Sequence, residues 1–470
     1  MKARPIFQNI EITDISTEGK GIGRVNNVVC FIDFVVPGDV VDVEITKKKS
    51  NYREGKVIAY QKHSDKRTDP RCKHFGICGG CKWQNLNYAT QLFYKQKYVA
   101  DAISRIGKIN TEVLPIIPSK NIFHYRNKLE YTFSNKRWLT KNELDVVLTA
   151  AGTHNPAFHS GLGFHIPKLF DKVLDIEQCY LQEEPSNAIR LEVKKFALEN
   201  TLDFFDIRKQ TGLLRNLVIR NTSTGEWMVV VVFFYLDKLL REKLLNHLAE
   251  KFPQITSLQY VINPKANDSI FDLEVKPFSG KNFIEEEMEG LKFRISAKSF
   301  FQTNSVQAFE LYKVAREFAG LNGNEIVYDL YTGTGTIANF VARKAKKVIG
   351  IEYIHEAIED AKINSQVNKI SNTEFFAGDI KDIMKDEFVA AHGKPDVIIT
   401  DPPRAGMQEE VVKKILEVAP EKIIYVSCNP ATQARDLAWM GEKYSVEKIQ
   451  PVDMFPHTAH VESVAKLVRK

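Results

Sequence analysis

The stretch "YVSCNP", residues 425–430, places a cysteine between an apolar run and an Asn-Pro turn. A cysteine at the end of a strand beside a ligand cleft has the exposure that a nucleophilic thiolate needs. A free cysteine is more often a small hydrophobic core residue, and this stretch alone favours the core. Cys428 is therefore a candidate nucleophile only if the rest of the sequence supports it.

Polar residues also follow other apolar runs in the last third of the chain. "DLYTGTGTIA" (329–338) is a glycine-rich turn that lets a ligand approach the backbone closely. Glu352 ends the next run, where a carboxylate can hold ribose hydroxyls. Asp379 ends the third and suits either an adenine contact or a helix cap. The glycine spacing also fits the dinucleotide fingerprint, so a dehydrogenase stays open.

The fourth run ends in "TDPPR", residues 400–404. Its two prolines stiffen the loop and hold Asp401 in place, because proline fixes its own backbone angle. Arg404 would then lie near any bound phosphate. Together with Cys428, these residues predict a ligand site at the carboxyl ends of successive strands.

Three of the six cysteines, Cys72, Cys78 and Cys81, lie within ten residues of each other. In a reducing compartment such a cluster favours metal or iron–sulfur ligation over disulfides. Zinc stays open, although zinc sites favour Cys-x2-Cys pairs and one gap here is five residues. Cys30 lies in a strand-like run and is predicted to be a core residue.

The composition predicts a soluble globular protein, with 44% hydrophobic and 26% charged residues and a net charge of +6. Residues 46–56 and 64–76 place basic residues beside aromatic ones, a combination that suits either RNA contact or a solvated basic face. The chain starts without an apolar signal core, and its longest apolar run is too short to cross a bilayer. We therefore expect a cytoplasmic protein that binds no membrane.

The pattern of elements changes twice along the chain. Residues 1–62 alternate apolar and polar residues between glycine turns and predict a small antiparallel barrel. Residues 63–290 predict a mixed region, with a helix that ends at Gly107 and a hairpin around Thr224-Gly225. From about residue 291, strands alternate with amphipathic helices, which predicts an open, mostly parallel α/β sheet.

Five motifs in this order, "DLYTGTG", "GIE", "DPPRAG", "VSCNP" and "HVESV", resemble the RNA uracil-5-methyltransferase family, which uses S-adenosylmethionine. "SAKSFFQTN" (296–304) resembles the start of that family's catalytic domain. The resemblance implies an OB-like TRAM barrel that binds RNA (1–62), a mixed α+β central domain (63–290) and a Rossmann-like class I methyltransferase domain (291–470).

The resemblance also implies roles for single residues. Cys428 would add to C6 of the uracil, and Glu462 would remove the C5 proton. Phe300 would stack on a flipped base, and Asp401 would bind the uracil edge. The implied cofactor contacts are Gln302, Tyr331, Gly333, Gly335, Thr336, Glu352, Asp379 and Asp401. The sequence departs from the best-known relatives in having Tyr331-Thr332 where they have Phe-Cys and Thr336 where they have Asn.

The spacing Cys72-x5-Cys78-x2-Cys81, with Cys179 as a distant fourth ligand, resembles the [4Fe–4S] site of the 23S rRNA branch of the family. The resemblance therefore implies 23S rRNA as substrate and a monomeric enzyme, while transfer RNA stays open. Two other classes compete, a dinucleotide-dependent iron–sulfur oxidoreductase and a catalytically silent RNA-binding protein. An amino-methyltransferase would need an aromatic residue where Arg404 stands. The identity of the methylated uridine does not follow from the resemblance.

Overall fold

The computed structural model describes residues 4–140, 143–144 and 158–470. The chain forms two compact units. The first contains Met1–Ile122, Pro402–Val412 and Tyr425–Lys470, and the second contains Phe123–Asp401 and Lys413–Ile424. The first three residues of the predicted barrel and a short part of the predicted central domain lie outside the described residues.

The strands are numbered in chain order. They are β1 Ile6–Glu11, β2 Asp14–Ile15, β3 Gly21–Val25, β4 Val28–Ile32, β5 Val40–Lys48, β6 Tyr52–Lys62, β7 Glu112–Val113, β8 Lys128–Ser134, β9 Arg137–Trp138, β10 Gly161–Ile166, β11 Leu169–Asp175, β12 Leu214–Asn221, β13 Trp227–Phe233, β14 Ile255–Ile262, β15 Val275–Gly280, β16 Phe283–Met288, β17 Leu291–Ser296, β18 Ile326–Leu330, β19 Lys347–Glu352, β20 Thr373–Ala377, β21 Val397–Thr400, β22 Lys422–Ser427, β23 Tyr444–Val452 and β24 Glu462–Arg469.

The α-helices are numbered in the same way. They are α1 Tyr88–Asp101, α2 Ser186–Glu199, α3 Lys238–Lys251, α4 Ser305–Ala319, α5 Thr336–Ala342, α6 His355–Val367, α7 Ile380–Ile383, α8 Asp386–His392, α9 Glu409–Val418 and α10 Pro430–Met440. Among the described residues, no helix is long and apolar enough to cross a membrane.

The amino-terminal strands of the first unit form one sheet in the order β1-β5-β6-β4-β3-β2. Its apolar side chains pack into a core that includes Cys30, Val41 and Val43, so the core prediction for Cys30 is confirmed. The sheet is antiparallel except for β4 and β6, which pair in parallel. Alternation of apolar and polar residues along a strand indicates which face of the sheet each residue occupies. It does not indicate the direction of the neighbouring strand, so this parallel pair could not be predicted.

The first unit also contains α1 and the last strands of the chain. Asn87 caps α1 by accepting a hydrogen bond from the Thr90 amide. The helix continues as a π-helical turn, Ala102–Ile106, and Gly107 closes it as predicted. The carboxyl-terminal end of β22 lies in this unit, next to β24, β23 and β7 in that order. These elements carry the cysteine turn and the start of β24.

The second unit contains a large sheet in the order β15-β14-β13-β12-β8-β10-β11-β9. The antiparallel pair β12 and β13 forms the predicted hairpin around Thr224-Gly225. Every residue of β13 is buried, which explains why this strand has the longest apolar run of the chain. The helices α2 and α3 contribute Ile189, Val193 and Leu244 to the same core.

The second unit further contains parallel strands in the order β20-β19-β18-β21, separated along the chain by helices. The apolar runs that precede the glycine turn, Glu352, Asp379 and Asp401 in the sequence correspond to them. The interior residues of β18, β19 and β21 are almost all buried, as expected for strands covered on both faces. Their carboxyl ends carry the glycine turn, Glu352 and Asp401.

Candidate active site

Cys428 follows β22, whose residues from Ile423 to Ser427 are buried. Cys428 itself is half-buried. The turn around it is fixed on both sides, because the Asn429 amide donates to Ser427 Oγ at 3.1 Å and Asn429 Oδ1 accepts from the Ala431 amide at 3.2 Å. Asn429 is thereby the cap of α10, and Pro430 follows at the first helical position. The sequence places the thiol in a partly exposed and rigid turn.

The loop after Asp401 is bound to the same helix. Arg404 O accepts from Asn429 Nδ2 at 3.0 Å and from Thr432 Oγ1 at 3.3 Å. Arg435 donates to the carbonyl of Met407 at 3.2 Å, further along the loop. These side chains hold the "PPRAGM" loop against the cysteine turn within the first unit. Asn429, Thr432 and Arg435 were not among the predicted site residues, since nothing in their types alone indicates a loop contact.

Glu462 begins β24 opposite Val452 and is only 3% exposed. Its place beside β22 depends on Gln433 of α10. Gln433 Nε2 donates to Tyr425 O at 2.9 Å and to Ser463 O at 3.3 Å, and Ser463 Oγ donates to Gln433 Oε1 at 2.6 Å. One buried amide thus joins the strand that precedes Cys428 to the strand that begins with Glu462. Glu462 is therefore not a surface residue, although glutamate side chains are exposed in most proteins.

The segment before Glu462 is held by a buried ion pair. Lys95 Nζ lies 2.5 Å from Asp453 Oδ1 and donates to Phe455 O at 2.9 Å, and both charged side chains are fully buried. Tyr88 donates its hydroxyl to Asp453 Oδ2 at 2.8 Å. Burial lowers the pKa of Lys95, while Asp453 opposes this effect. The sequence gives no sign of this pair, because its members are 358 residues apart.

His457 is a structural residue of the same segment. Its amide donates to Gln91 Oε1 at 2.8 Å, and its carbonyl accepts from the amides of Lys82 and Trp83 at 2.8 and 3.1 Å. Burial, with a smaller effect of Lys95, lowers the pKa of His457 to about 4. A neutral imidazole with these backbone contacts positions the segment that precedes Glu462.

In the second unit, the glycine turn after β18 is organised by Asp329. Its Oδ2 accepts from Thr332 Oγ1 at 2.5 Å and from the Ala338 amide at 3.0 Å. Its Oδ1 is buried and has no hydrogen-bond partner among the described residues. Burial raises the pKa of Asp329 to about 7. A buried carboxyl oxygen without a partner costs free energy, and a ligand donor at this turn would recover it.

The backbone of the turn explains its glycines. Tyr331, Gly333 and Gly335 all have positive φ angles, of 62°, 55° and 71°. A Cβ atom on Gly335 would lie 2.8 Å from Ala361 Cβ, whereas one on Gly333 would meet nothing within 4 Å. Gly335 therefore permits close packing, and Gly333 faces open space that a ligand can fill. Thr336, the first residue of α5, is buried.

Glu352 and Asp379 have different surroundings. Glu352 is half-buried; its Oε2 accepts from the Gly333 amide at 3.2 Å and its Oε1 from the Ile354 amide at 3.1 Å. This carboxylate therefore contacts the glycine turn. Asp379 caps α7 through the Lys381 amide at 3.2 Å, and its Oδ2 lies 3.3 Å from Lys381 Nζ. The contacts of Asp379 are therefore those of a helix cap, one of the two roles that its sequence position suits.

Asp401 follows β21 and is half-buried. Its amide donates to Leu330 O at 3.3 Å, so the start of its loop is fixed to the end of β18. Burial, with the neighbouring Asp329 carboxylate as a smaller cause, raises the pKa of Asp401 to about 7. Two neighbouring carboxyl groups whose pKa values are both raised, mainly by burial, are typical of functional sites.

The "SAKSFFQTN" segment presents one aromatic ring to solvent. Phe300 is 70% exposed, although Phe301 and Gln302 on its carboxyl side are buried. The backbone there is held by Asn127, whose Nδ2 donates to Gln302 O at 2.9 Å and whose amide donates to Thr303 O at 2.8 Å. An exposed ring on a fixed backbone suits stacking on an RNA base. Asn127 was missed because it lies 175 residues from its partner.

The four predicted cluster ligands are all half-buried cysteines. Cys72, Cys78 and Cys81 belong to the first unit and Cys179 to the second. Across the described parts of the chain, no group of three or more His, Cys, Asp or Glu side chains is arranged to hold a metal ion. The structure therefore gives neither the [4Fe–4S] cluster nor the zinc alternative any support.

Comparisons with known families give two matches. The profile described as tRNA (Uracil-5-)-methyltransferase matches residues 273–470, and the profile described as TRAM domain matches residues 7–58. The second match lies inside the predicted barrel. The first covers the glycine turn, the proline loop, the cysteine turn and Glu462.

Similar proteins extend over nearly the whole chain. A Porphyromonas gingivalis protein is 56% identical over 98% of this chain and 99% of its own length, and a Bacteroides thetaiotaomicron protein is 55% identical over 96% and 99%; both are called uncharacterized RNA methyltransferase. The Pyrococcus abyssi tRNA (uracil-54, C5)-methyltransferase, solved in complex with S-adenosyl-L-homocysteine, is 29% identical, has a TM-score of 0.76 and covers 98% of this chain and 100% of its own. The predicted fold class, a Rossmann-like methyltransferase with a TRAM barrel, is confirmed.

Proposed function

Because the chain belongs to the RNA uracil-5-methyltransferase family, whose members act on RNA with S-adenosylmethionine as methyl donor, we propose that it methylates C5 of a uridine in 23S rRNA through a covalent adduct with Cys428. The observation that carries the proposal is the half-buried Cys428 in a rigid turn at the end of a buried strand. The proposal keeps the division into a TRAM barrel (1–62), a central domain (63–290) and a methyltransferase domain (291–470).

The first step is addition of the Cys428 thiolate to C6 of the uracil. Uracil C5 is a poor nucleophile, and the new S–C6 bond moves an electron pair into the ring, so that C5 gains carbanion character. C5 then forms a bond to the methyl carbon while the bond from that carbon to the sulfonium sulfur breaks. The fixed turn around Cys428 supports this role, because a positioned nucleophile avoids the entropy cost of a freely moving one.

The second step is removal of the C5 proton, for which we propose Glu462. The carboxylate takes the proton, the electron pair restores the C5–C6 double bond, and the S–C6 bond breaks to release the Cys428 thiolate. A base for this step must lie within hydrogen-bond reach of the proton. The burial of Glu462 and the Gln433 link between its strand and β22 support the assignment.

The remaining predicted residues bind the two substrates in this proposal. Glu352 and the glycine turn would hold the cofactor, supported by the Glu352 contact to the Gly333 amide. Asp401 would bind the uracil edge as well as the cofactor, and exposed Phe300 would stack on the flipped base. The other proposed cofactor contacts are Gln302, Tyr331, Gly335, Thr336 and Asp379.

A 5-fluorouridine substrate tests the adduct directly. Fluorine at C5 cannot be removed as a proton, so RNA that contains it should stay attached to the enzyme on a denaturing gel, and only when S-adenosylmethionine is present. Cys428→Ala should abolish the adduct, while Cys30→Ala, which changes a buried barrel cysteine, should retain it. Glu462→Gln should trap an adduct even on ordinary uridine. An adduct that maps to another residue would refute the mechanism.

The choice of 23S rRNA rests on the cysteine spacing that resembles the 23S rRNA branch. Transfer RNA is the second candidate, because the similar Pyrococcus abyssi enzyme is a tRNA (uracil-54, C5)-methyltransferase. Mapping 5-methyluridine in total rRNA and tRNA from a deletion strain decides between them. We expect a 23S rRNA position to lose its methyl group and to regain it with the wild-type gene but not with Cys428→Ala. Loss confined to tRNA would replace the rRNA assignment and leave the chemistry intact.

The [4Fe–4S] cluster is a separate part of the proposal, supported only by the spacing of Cys72, Cys78, Cys81 and Cys179. No step of the reaction depends on it. Protein purified without oxygen should contain about four iron atoms per chain, and Cys78→Ser should lose them while Cys30→Ser keeps them. Protein that is free of iron after anaerobic purification would contradict the cluster.

A further inference from the structure

A cavity of about 510 Å³ lies in the first unit, beside the amino-terminal barrel. Its volume falls within the roughly 300–1,000 Å³ of small-ligand pockets. None of its lining residues belongs to the proposed methylation site. The lining includes four aromatic rings, those of Phe34, Tyr60, His63 and Phe75, together with Arg67 and Asn85.

Phe34 is held in a strained conformation at the cavity. Its φ angle is +63°, a region that bulky side chains rarely adopt. Its carbonyl accepts from three side chains, Tyr60 at 3.2 Å, Arg67 at 3.1 Å and Asn85 at 2.9 Å. Such strain persists only where the surroundings enforce it, and it is concentrated at ligand sites. The result is a phenylalanine ring that is 42% exposed.

Tyr60 and its neighbours form a second wall. The Tyr60 and His63 rings stack with centroids 4.8 Å apart, and the Arg67 guanidinium lies 4.7 Å from the centre of the Tyr60 ring. Arg67 is fixed in turn by two hydrogen bonds, at 2.8 and 2.7 Å, to Asp39, which is fully buried. Because these contacts exist before any ligand binds, the wall is pre-organised and little conformational entropy is lost on binding.

The cysteine loop closes the cavity on its third side. Phe75 packs edge-on against Phe34 with centroids 5.6 Å apart. The segment from residue 62 to residue 73, which contributes much of the lining, contains five lysines and arginines against two aspartates. A concave aromatic surface with an excess of positive charge combines base stacking with attraction to phosphates.

We propose that this cavity binds one unpaired nucleobase of the RNA substrate, separate from the uridine that is methylated. The flat rings offer stacking that any base can use, and the nearby cations attract the phosphates on either side of it. The cavity would thereby fix the RNA at a second point. The inference does not depend on whether rRNA or tRNA is the natural substrate.

Phe34→Gly separates this role from a structural one. Glycine adopts a positive φ without strain, and this relief offsets part of the packing that is lost with the ring, so the variant should remain folded in thermal unfolding. If the ring binds a base, however, the variant should bind RNA more weakly. Phe271→Gly, which removes a ring that is 62% exposed and is not part of the cavity lining, is the matched control.

The binding probes are an oligouridylate and an abasic ribose-phosphate strand of the same length. The two strands carry the same charge and differ only in their bases. The wild type and Phe271→Gly should prefer the oligouridylate, and Phe34→Gly should lower this preference by roughly 5- to 150-fold, the range of one base–aromatic stack. An equal loss for both strands, or no loss for either, would overturn the proposal.

Photocrosslinking gives a second and independent readout on the wild-type protein. Oligonucleotides with 4-thiouridine should crosslink to peptides that contain Phe34, Tyr60 or Phe75, and an excess of abasic strand should not compete. Crosslinks that map only elsewhere would show that the cavity takes a different ligand. Because neither experiment measures methylation, a failure of the proposed function and a failure of the base-binding cavity can be distinguished.

Discussion

Gln433 and Ser463 exchange hydrogen bonds, since Gln433 Nε2 donates to Ser463 O at 3.3 Å and Ser463 Oγ donates to Gln433 Oε1 at 2.6 Å. The same Nε2 also donates to Tyr425 O at 2.9 Å. The helix that follows the proposed nucleophile therefore fixes both the strand before Cys428 and the residue after Glu462. This amide therefore helps to set the spacing between Cys428 and Glu462, the proposed nucleophile and base.

Gln433→Leu should lower turnover by more than the loss of stability in this variant can explain. The variant leaves the buried Tyr425 carbonyl and Ser463 hydroxyl without this partner, at a cost of about 1–3 kcal/mol in the free energy of unfolding. Gln259→Leu, which removes a buried amide hydrogen-bonded to Ser257 in the second unit, should cost a similar amount. Single-turnover methylation should slow at least tenfold only in Gln433→Leu. Equal rates in the two variants would make Gln433 purely structural.

Glu352→Ala should weaken binding of S-adenosylmethionine and leave RNA binding unchanged. The carboxylate accepts from the Gly333 amide and lies at the strand end where we place the ribose. A hydrogen bond to a charged group contributes about 1.5–3 kcal/mol, so calorimetry should record an affinity loss of roughly 10- to 150-fold. Glu356→Ala, which removes an exposed carboxylate four residues away, should have no effect. Unchanged cofactor affinity in Glu352→Ala would limit Glu352 to holding the turn.

Phe300→Ala should reduce kcat/KM for RNA without a loss of stability. The ring is 70% exposed, so its removal leaves no cavity in the protein. One base–aromatic stack contributes about 1–3 kcal/mol. Phe301→Ala is the opposite case, because removal of that buried ring should lower the free energy of unfolding by about 3–5 kcal/mol. Thermal unfolding and methylation kinetics on both variants separate the roles, and full activity in Phe300→Ala would exclude the stacking role.

The contribution of Asp401 to stability should fall as the pH rises from about 4 to about 7. The pKa of Asp401 is raised from 3.8 to about 7 by burial and by Asp329. Between these two pKa values, Asp401 binds more protons in the folded protein than in the unfolded chain. The stabilisation that this proton binding provides is therefore full below the lower pKa and is lost as the pH rises through the upper one. Asp401→Asn should flatten this slope in urea unfolding at pH 5 and pH 8, by at least about 1.4 kcal/mol. An unchanged slope would contradict the raised pKa.

Asp453→Ala should destabilise the protein by about 3–5 kcal/mol, because it leaves the fully buried Lys95 charge without its partner. The double change Lys95→Met with Asp453→Leu should recover most of that loss. The exposed pair Lys195 and Glu199 is the control, and its removal should cost less than about 0.5 kcal/mol. Chemical unfolding measures the stability of the single variant, the double variant and the control. A small loss in Asp453→Ala would mean that water reaches the ammonium group.

Local patterns predicted much of the fold. The apolar runs that end at Glu352 and Asp401 are strands at the predicted positions, because buried parallel strands have an unmistakable composition. The helix that ends at Gly107 and the hairpin at Thr224-Gly225 were also predicted correctly. In each case the signal lies in one continuous stretch of the chain.

Contacts between distant residues were not predictable. Neither the Lys95–Asp453 pair nor the Asn127 support of Gln302 has a local signature, since each joins side chains from remote parts of the chain. The cysteine spacing is a local pattern, but it carries no information about geometry. It predicts a metal-binding group for which the described residues give no support, because spacing gives the number of possible ligands and not their geometry.

The Lys95–Asp453 pair also imposes an order of assembly during synthesis. The first unit combines the first 122 residues, residues 402–412 and the last 46, and the whole second unit lies between residues 122 and 425 of the chain. While the chain emerges from the ribosome, the inserted unit can fold as a domain, but the Lys95 ammonium must wait for a carboxylate that is translated 358 residues later. The strand that begins with Glu462 is therefore among the last elements to be placed. A prematurely terminated chain would consequently have a folded second unit but no complete first unit, and so no proposed base.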